Sequence, residues 1–321
     1  SGPTPRGHTS PACAAWLDGM HCNGVVLSAN NSTQPTWATA GAADDKCRTI
    51  SDAQSYAAIR TIARGMGAQF GGGDGNHVVS AFTECPAGSC SPISSGPTNG
   101  VMFQTTRPIP VGANRYYTVA VDVGAANCAA TASTTPGSGD PQYQFQLIDS
   151  LGATTNMGSP VNPCTVGRGS VSVTNLQSAP FPGTKTIYTK SLTAGQAIKY
   201  TGSSLGVKMY NVNGVTLGND GAFDNIRVLD VTPGFSKSFS PSTVAAGGTV
   251  LLTFTVTNTS DNLAKAGWEF TDNLAAGLTL ANTTVGGTCR NFADTATPAN
   301  LVGSAGASSF TIRGSLPAVA S

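Results

Sequence analysis

Apolar and polar positions alternate along most of this chain, beginning near residue 77. "HVVSAFTE", "GVMFQTT", "RYYTVAVDV", "YQFQLID", "SVSVTNL", "KTIYTKSL", "AIKYTGS", "GVKMYNV" and "FDNIRVLDV" alternate or carry β-branched and aromatic residues. Turn-rich segments separate them, and this spacing predicts one antiparallel sandwich of jelly-roll type. Residues 1–50 show no period, and "SGPTPRGHTS" reads as an extended polar arm. One segment has a helical period. In "SDAQSYAAIRTIARGMG", Ser51 and Gln54 form a capping box, and Ala53, Tyr56, Ala57, Ile59, Ile62 and Ala63 share a face. Gly65 or Gly67 is placed to end it, so one short helix is expected near residues 51–65. A strand over "AAIRTIAR" is the competing reading.

"TPG" at residues 232–234 breaks the pattern, and new strands follow: "FSKSFS", "TVLLTFTVTN", "AGWEFTD", "LTLANTT", "GGTCRN" and "SSFTIRG". The expected domains are therefore 1–231 and 232–321. In the second, residues two apart share a face. Phe235, Lys237 and Phe239 then point one way, as do Leu252, Phe254, Val256 and Asn258, and Trp268, Phe270 and Asp272. A lysine in phase with core residues must be paired or neutral. Three readings stand. Lys237 and Asp272 form a buried ion pair with Asn258 capping a turn. Alternatively, Lys237 forms an isopeptide bond to Asn258 with Asp272 shuttling the proton. In the third, the strands are out of register and these groups are exposed.

Composition narrows the function. Charged residues are 10% of the 321 and net charge is +1, which gives no electrostatic case for nucleic acid or an anionic membrane. No apolar run is long enough to span a bilayer. The eight cysteines include no CxxC pair and lack zinc-finger spacing to histidine, so disulfides are expected ahead of metal, outside the cytosol. Cys85 and Cys90 frame "CPAGSC", a tight disulfide loop. Cys128, in "AANCAATASTTPGSGDP", and Cys164, in "NPCTVG", are placed to bridge one region.

No GxSxG, HExxH or P-loop occurs, and no enzyme is expected. Asp122 and Asp149 end strands and are the candidate carboxylate pair for the outside case of glycoside hydrolysis. "GNDGAFDNIRV" offers Asn219, Asp220, Asp224 and Asn225 as oxygen donors for a structural calcium, joined by Asp74 of "GGGDGN". The competing reading is a hairpin turn at "NDG" with Asp224 bonded to backbone.

Two resemblances add to this. "FSKSFSPSTVAAGGTVLLTFTVTNTSDNLAKAGWEFTDNLAAGLTLAN" resembles a bacterial cell-surface repeat family of unknown function, through Lys237, Ser240, Pro241, Gly248, Asn258, Asp272, Leu274, Gly277 and Leu278. Ala275 departs from the usual proline. The resemblance implies an immunoglobulin-like sandwich strung along a secreted or surface protein. "FDNIRVLDV" resembles the last strand of carbohydrate-binding jelly rolls, where the acid of a "DN" pair holds calcium. The expected fold class is all-β: a jelly-roll sandwich, then an immunoglobulin-like sandwich, with one short helix. The second sandwich looks one strand short of the usual complement. Its missing strand belongs to a longer chain or to a neighbouring molecule. The expected function is a non-enzymatic extracellular structural or adhesive protein of a bacterial surface. The alternatives are a self-assembling filament subunit using strand addition, and a carbohydrate-binding module with a glycan ligand.

Overall fold

Strand-period sequence becomes strand through most of the computed structural model, which describes residues 4–5, 25–31, 50–81, 101–128, 140–177, 182–212, 221–293 and 296–318. The chain forms two compact units. The first takes in residues up to Pro110, Val119–Gly195 and Ser204–Val228; the second takes in Val111–Thr118, Gln196–Ser203 and the chain from Leu229 onward.

In chain order the elements through Asp230 are β1 (Thr4–Pro5), β2 (Val25–Leu27), α1 (Ile50–Phe70), β3 (Val78–Ala81), β4 (Val101–Gln104), β5 (Ile109–Pro110) and β6 (Arg115–Ala125). There follow β7 (Tyr143–Ile148), β8 (Thr154–Asn156), β9 (Gly169–Thr174), β10 (Thr184–Thr193), β11 (Ile198–Tyr200), β12 (Ser204–Asn211) and β13 (Gly221–Asp230). One sheet has the order β1-β2-β3-β13-β6-β10-β9, with β11 beside β6. The other has the order β4-β12-β7-β8, with β5 beside β12. Apolar side chains of the two sheets meet: Val119 and Ile226 from the first face Phe103, Phe145, Val207 and Met209 from the second. On β12 of the second sheet, Leu205, Val207 and Met209 are buried on the inner side.

The helix lies on the first sheet. Ile59, Ile62, Ala63 and Met66 are fully buried and pack with Leu27, Val78, Ile187 and Ala222. It runs through both glycines expected to stop it. A Cβ on Gly65 would lie 2.5 Å from Cβ of Ile187, and one on Gly67 would lie 1.9 Å from the Gly73 carbonyl oxygen. These glycines permit close approach rather than termination. The stop is Gly71, at φ 104°, whose N–H bonds the Gly67 carbonyl at 3.0 Å. A disulfide joins Cys128, just after β6, to Cys164, with Cα atoms 5.3 Å apart. Cys85, Cys90, Asn219 and Asp220 lie outside the described residues.

In the second unit, β14 (Gly234–Ser240) pairs with β15 (Leu251–Thr257), setting Lys237 opposite Phe254. β16 (Lys265–Asn273), β17 (Asn300–Val302) and β18 (Ser309–Leu316) form a sheet ordered β16-β18-β17. Tyr116, Ala197, Val231, Trp268, Ala299, Phe310 and Ile312 make its buried core. "LTLANTT" and "GGTCRN" are not strands. The Asn282 side chain accepts the Thr284 N–H at 2.9 Å, a local turn that competes with a ladder. Arg290 lies outside the strands and forms an isolated bridge to Ser315.

Candidate functional site

A break in β13 builds the most polar corner of the first unit. β13 pairs with β3 from Gly221 to Phe223. Asn225 then takes φ 54°, a left-handed backbone that asparagine tolerates. Beyond the break, two side chains of β13 converge on Asp122 of β6. Asn225 donates its Nδ2 to Asp122 Oδ2 at 2.8 Å, and Arg227 donates Nη2 to Oδ1 at 2.9 Å. Ser191, the register partner of Asp122 on β10, donates its hydroxyl to the same Oδ1 at 2.5 Å. Asp122 is 5% exposed. A buried carboxylate is tolerated where donors and a countercharge surround it, and here three donors do so. Asp149 is elsewhere: its Oδ1 accepts the N–H groups of Leu151 and Ala153, both at 2.8 Å, and so closes a turn.

Asp224 completes the corner. Burial pushes its carboxyl above the usual carboxylate range. The Asn225 N–H, at 2.7 Å, and the Asn76 side chain oppose that rise, the Asp122 charge adds to it, and His77 reduces it. The result is an acid that keeps its proton to higher pH than a solvated aspartate, beside a hydrogen-bonded carboxylate and a histidine. Such a pairing can hold or deliver a proton.

Of the calcium donors read from sequence, Asp74, Asp224 and Asn225 are described, and each is engaged by protein groups. Asp74 is forked onto Arg64, with Nε to Oδ1 at 2.9 Å and Nη2 to Oδ2 at 2.7 Å. Asp224 is met by N–H donors, the opposite of what a cation needs, and the Asn225 amide points its N–H at Asp122. Among the described residues, no three His, Cys, Asp or Glu side chains gather where a metal could sit.

In the second unit, Lys237 donates to both oxygens of Asp272, at 2.7 and 2.8 Å. The side chains are 27% and 14% exposed. Asn258 is engaged locally: its Nδ2 donates to the Leu263 carbonyl at 3.0 Å and its Oδ1 accepts the Thr259 N–H at 2.9 Å, which caps a turn. The fully buried lysine of this unit is one the strand phase conceals. Lys265, at 0% exposure, donates to Asp261 Oδ1 at 2.5 Å and to the Leu263 carbonyl at 3.0 Å. Asp261 also accepts the Thr259 hydroxyl and the Leu263 N–H. Burial raises its carboxyl and these bonds outweigh that, leaving it below the ordinary range. β16 bulges between Lys265 and Trp268, where Gly267 has φ 71°, so both side chains turn inward.

The architecture is that of a two-unit, disulfide-stapled β protein. Residues 28–229 match the family model HpiC1-like, described as HpiC1 cyclase. The chain belongs to the HpiC1-like family. Residues 233–318 match a second model, a domain of unknown function designated DUF7933, over the segment that resembles a surface repeat. No curated protein matches the chain. A solved structure, the EclA C-terminal domain, described as a sugar-binding protein, is 14% identical. It covers 46% of this chain and 89% of its own, at a TM-score of 0.24, too slight a likeness to argue from.

Proposed function

We propose that this is a non-catalytic extracellular protein of a bacterial surface, structural or adhesive in role. The first unit serves as a jelly-roll binding module and the second as an immunoglobulin-like spacer. The observation that carries this reading is the buried Cys128–Cys164 disulfide in a chain built from two β units. Such a bond belongs to an oxidising compartment, and modular β architecture is what surface proteins string together. Among the described residues, β14 and β15 each pair with one strand only, and Phe235 and Leu251 on them are 50% and 67% exposed. Strand addition at those free edges is the route proposed for self-association. Protease shaving of intact source cells should remove the protein, with Cys128 and Cys164 recovered as one cross-linked peptide. Recovery from the cytosol with both thiols reduced overturns the reading.

A second reading is favoured by the family match over residues 28–229 and by Asp224. On it, the first unit catalyses a cyclisation, with the raised Asp224 carboxyl as proton donor and the Asp122 cluster holding β13 in place. Native protein and an Asp224→Asn variant would be incubated with the small-molecule extract of the source cells. A cyclic product formed by the native protein alone supports catalysis; identical product profiles refute it.

A further inference from the structure

The outer side of the smaller sheet carries a polar row centred on a nearly buried lysine. β12 is flanked by β4 on one side and β7 on the other. Lys208 is the register partner of Gln104 on β4 and of Gln146 on β7, and Gln146 is the partner of Asn156 on β8. The four side chains Gln104, Lys208, Gln146 and Asn156 thus cross four strands in one line. Val207 and Met209, on either side of Lys208, are 3% and 2% exposed and line the interior with Phe103 and Phe145. Alternation therefore turns Lys208 and its row to the opposite face. Gln146 donates Nε2 to Asn156 Oδ1 at 2.8 Å, which fixes how these two amides are presented.

Lys208 is 8% exposed, yet among the described residues no carboxylate or hydrogen-bond acceptor meets its amine. The other buried lysine, Lys265, has Asp261. Most of the side chain is covered while the amine keeps contact with water, so an incoming anion can reach a charge that has no countercharge of its own. Burial lowers the Lys208 pKa. The amides on both sides are donors and acceptors at once, which suits hydroxyl groups. Strands lie about 4.8 Å apart, so the row extends about 14 Å, longer than a single small anion.

The geometry points to a binding site for an acidic saccharide, a short chain of carboxylated sugars whose carboxylate pairs with Lys208 and whose hydroxyls bond Gln104, Gln146 and Asn156. This rests on the first unit being a binding module, and it names the ligand class and the face used.

The test is calorimetric titration of the whole chain with an oligomer of galacturonic acid, beside a neutral galactose oligomer of equal length. The acidic oligomer should bind, more weakly as salt rises. Lys208→Met should weaken it by at least ~10-fold, the worth of a charged hydrogen bond, and Lys208→Arg should restore part of that loss. The methionine variant should melt no lower than the native protein, because it removes an unpaired charge. Gln104→Ala, at an exposed position, should weaken binding without touching stability. Unchanged affinity in both Lys208→Met and Gln104→Ala overturns the proposal. So does a native protein that binds neither oligomer. Equal binding of the neutral oligomer refutes the acidic site but leaves the broader binding reading standing.

Discussion

The two units hold themselves together differently, although both are made of short alternating strands. In the first, Ile59, Ile62, Met66, Ile187 and Phe223 are all at 0% exposure, because a helix lies over one sheet and a second sheet faces it. In the second, Phe235 stacks on Phe254 with ring centroids 5.5 Å apart and meets Phe270 at a tilt at 4.2 Å, yet Phe235 remains 50% exposed. Its apolar cluster is only partly covered, and ion pairs that include Lys265–Asp261 and Lys237–Asp272 tie its strands and turns. Alternation decides which residues face inward. How fully they are buried depends on whether another layer lies over them.

The largest expected effect strikes the second unit. Asp261→Ala leaves Lys265 buried and unpaired, which should cost about 3–5 kcal/mol. Hydrogen exchange across residues 259–272 should report the loss in that unit alone. The double variant Asp261→Ala, Lys265→Met should recover most of it, since removing both charges also removes the buried, unpaired ammonium. A loss below about 1 kcal/mol would show that the ion pair is incidental and that the aromatic cluster carries the unit. Next in size is the first unit's staple. Cys128→Ser with Cys164→Ser opens a link between residues 36 apart and should cost roughly 2–4 kcal/mol by urea unfolding. An unchanged midpoint would mean that apolar burial alone secures this region, and would widen the contrast between the units.

What could be read from the sequence follows from how local each signal is. The jelly-roll strands were legible because alternation is written within each segment. Strand phase put Lys237 and Asp272 in line with apolar residues but left three arrangements open; their pairing joins residues 35 apart. Lys265 was not legible, because the bulge before Trp268 shifts the phase by one residue and "AKAGW" carries no mark of it beyond Gly267. Gly65 and Gly67 read as stops because their true neighbours, Ile187 and Gly73, belong to other elements. Asp122 stood out as a strand-end acid, but its partners Ser191, Asn225 and Arg227 lie 69, 103 and 105 residues away, and no spacing rule reaches that far.

The smallest expected effect tests the polar corner of the first unit through pH. Asp224 has a raised pKa, so the folded state holds its proton more tightly than the unfolded chain does. Folding is therefore favoured below the ordinary carboxylate range, near pH 4, and that contribution is lost as pH rises through the higher folded value. Asp224→Asn keeps an acceptor for the Asn225 N–H and removes the ionisation. Its melting temperature should draw level with the native protein in acid and exceed it at neutral pH, by a margin that grows across the window. A chelator should leave both proteins unmoved, since N–H groups already engage this carboxylate. A native protein that loses stability on chelation, with Asp224→Asn indifferent to it, would instead place a cation at Asp224. The corner would then be a metal-tied loop.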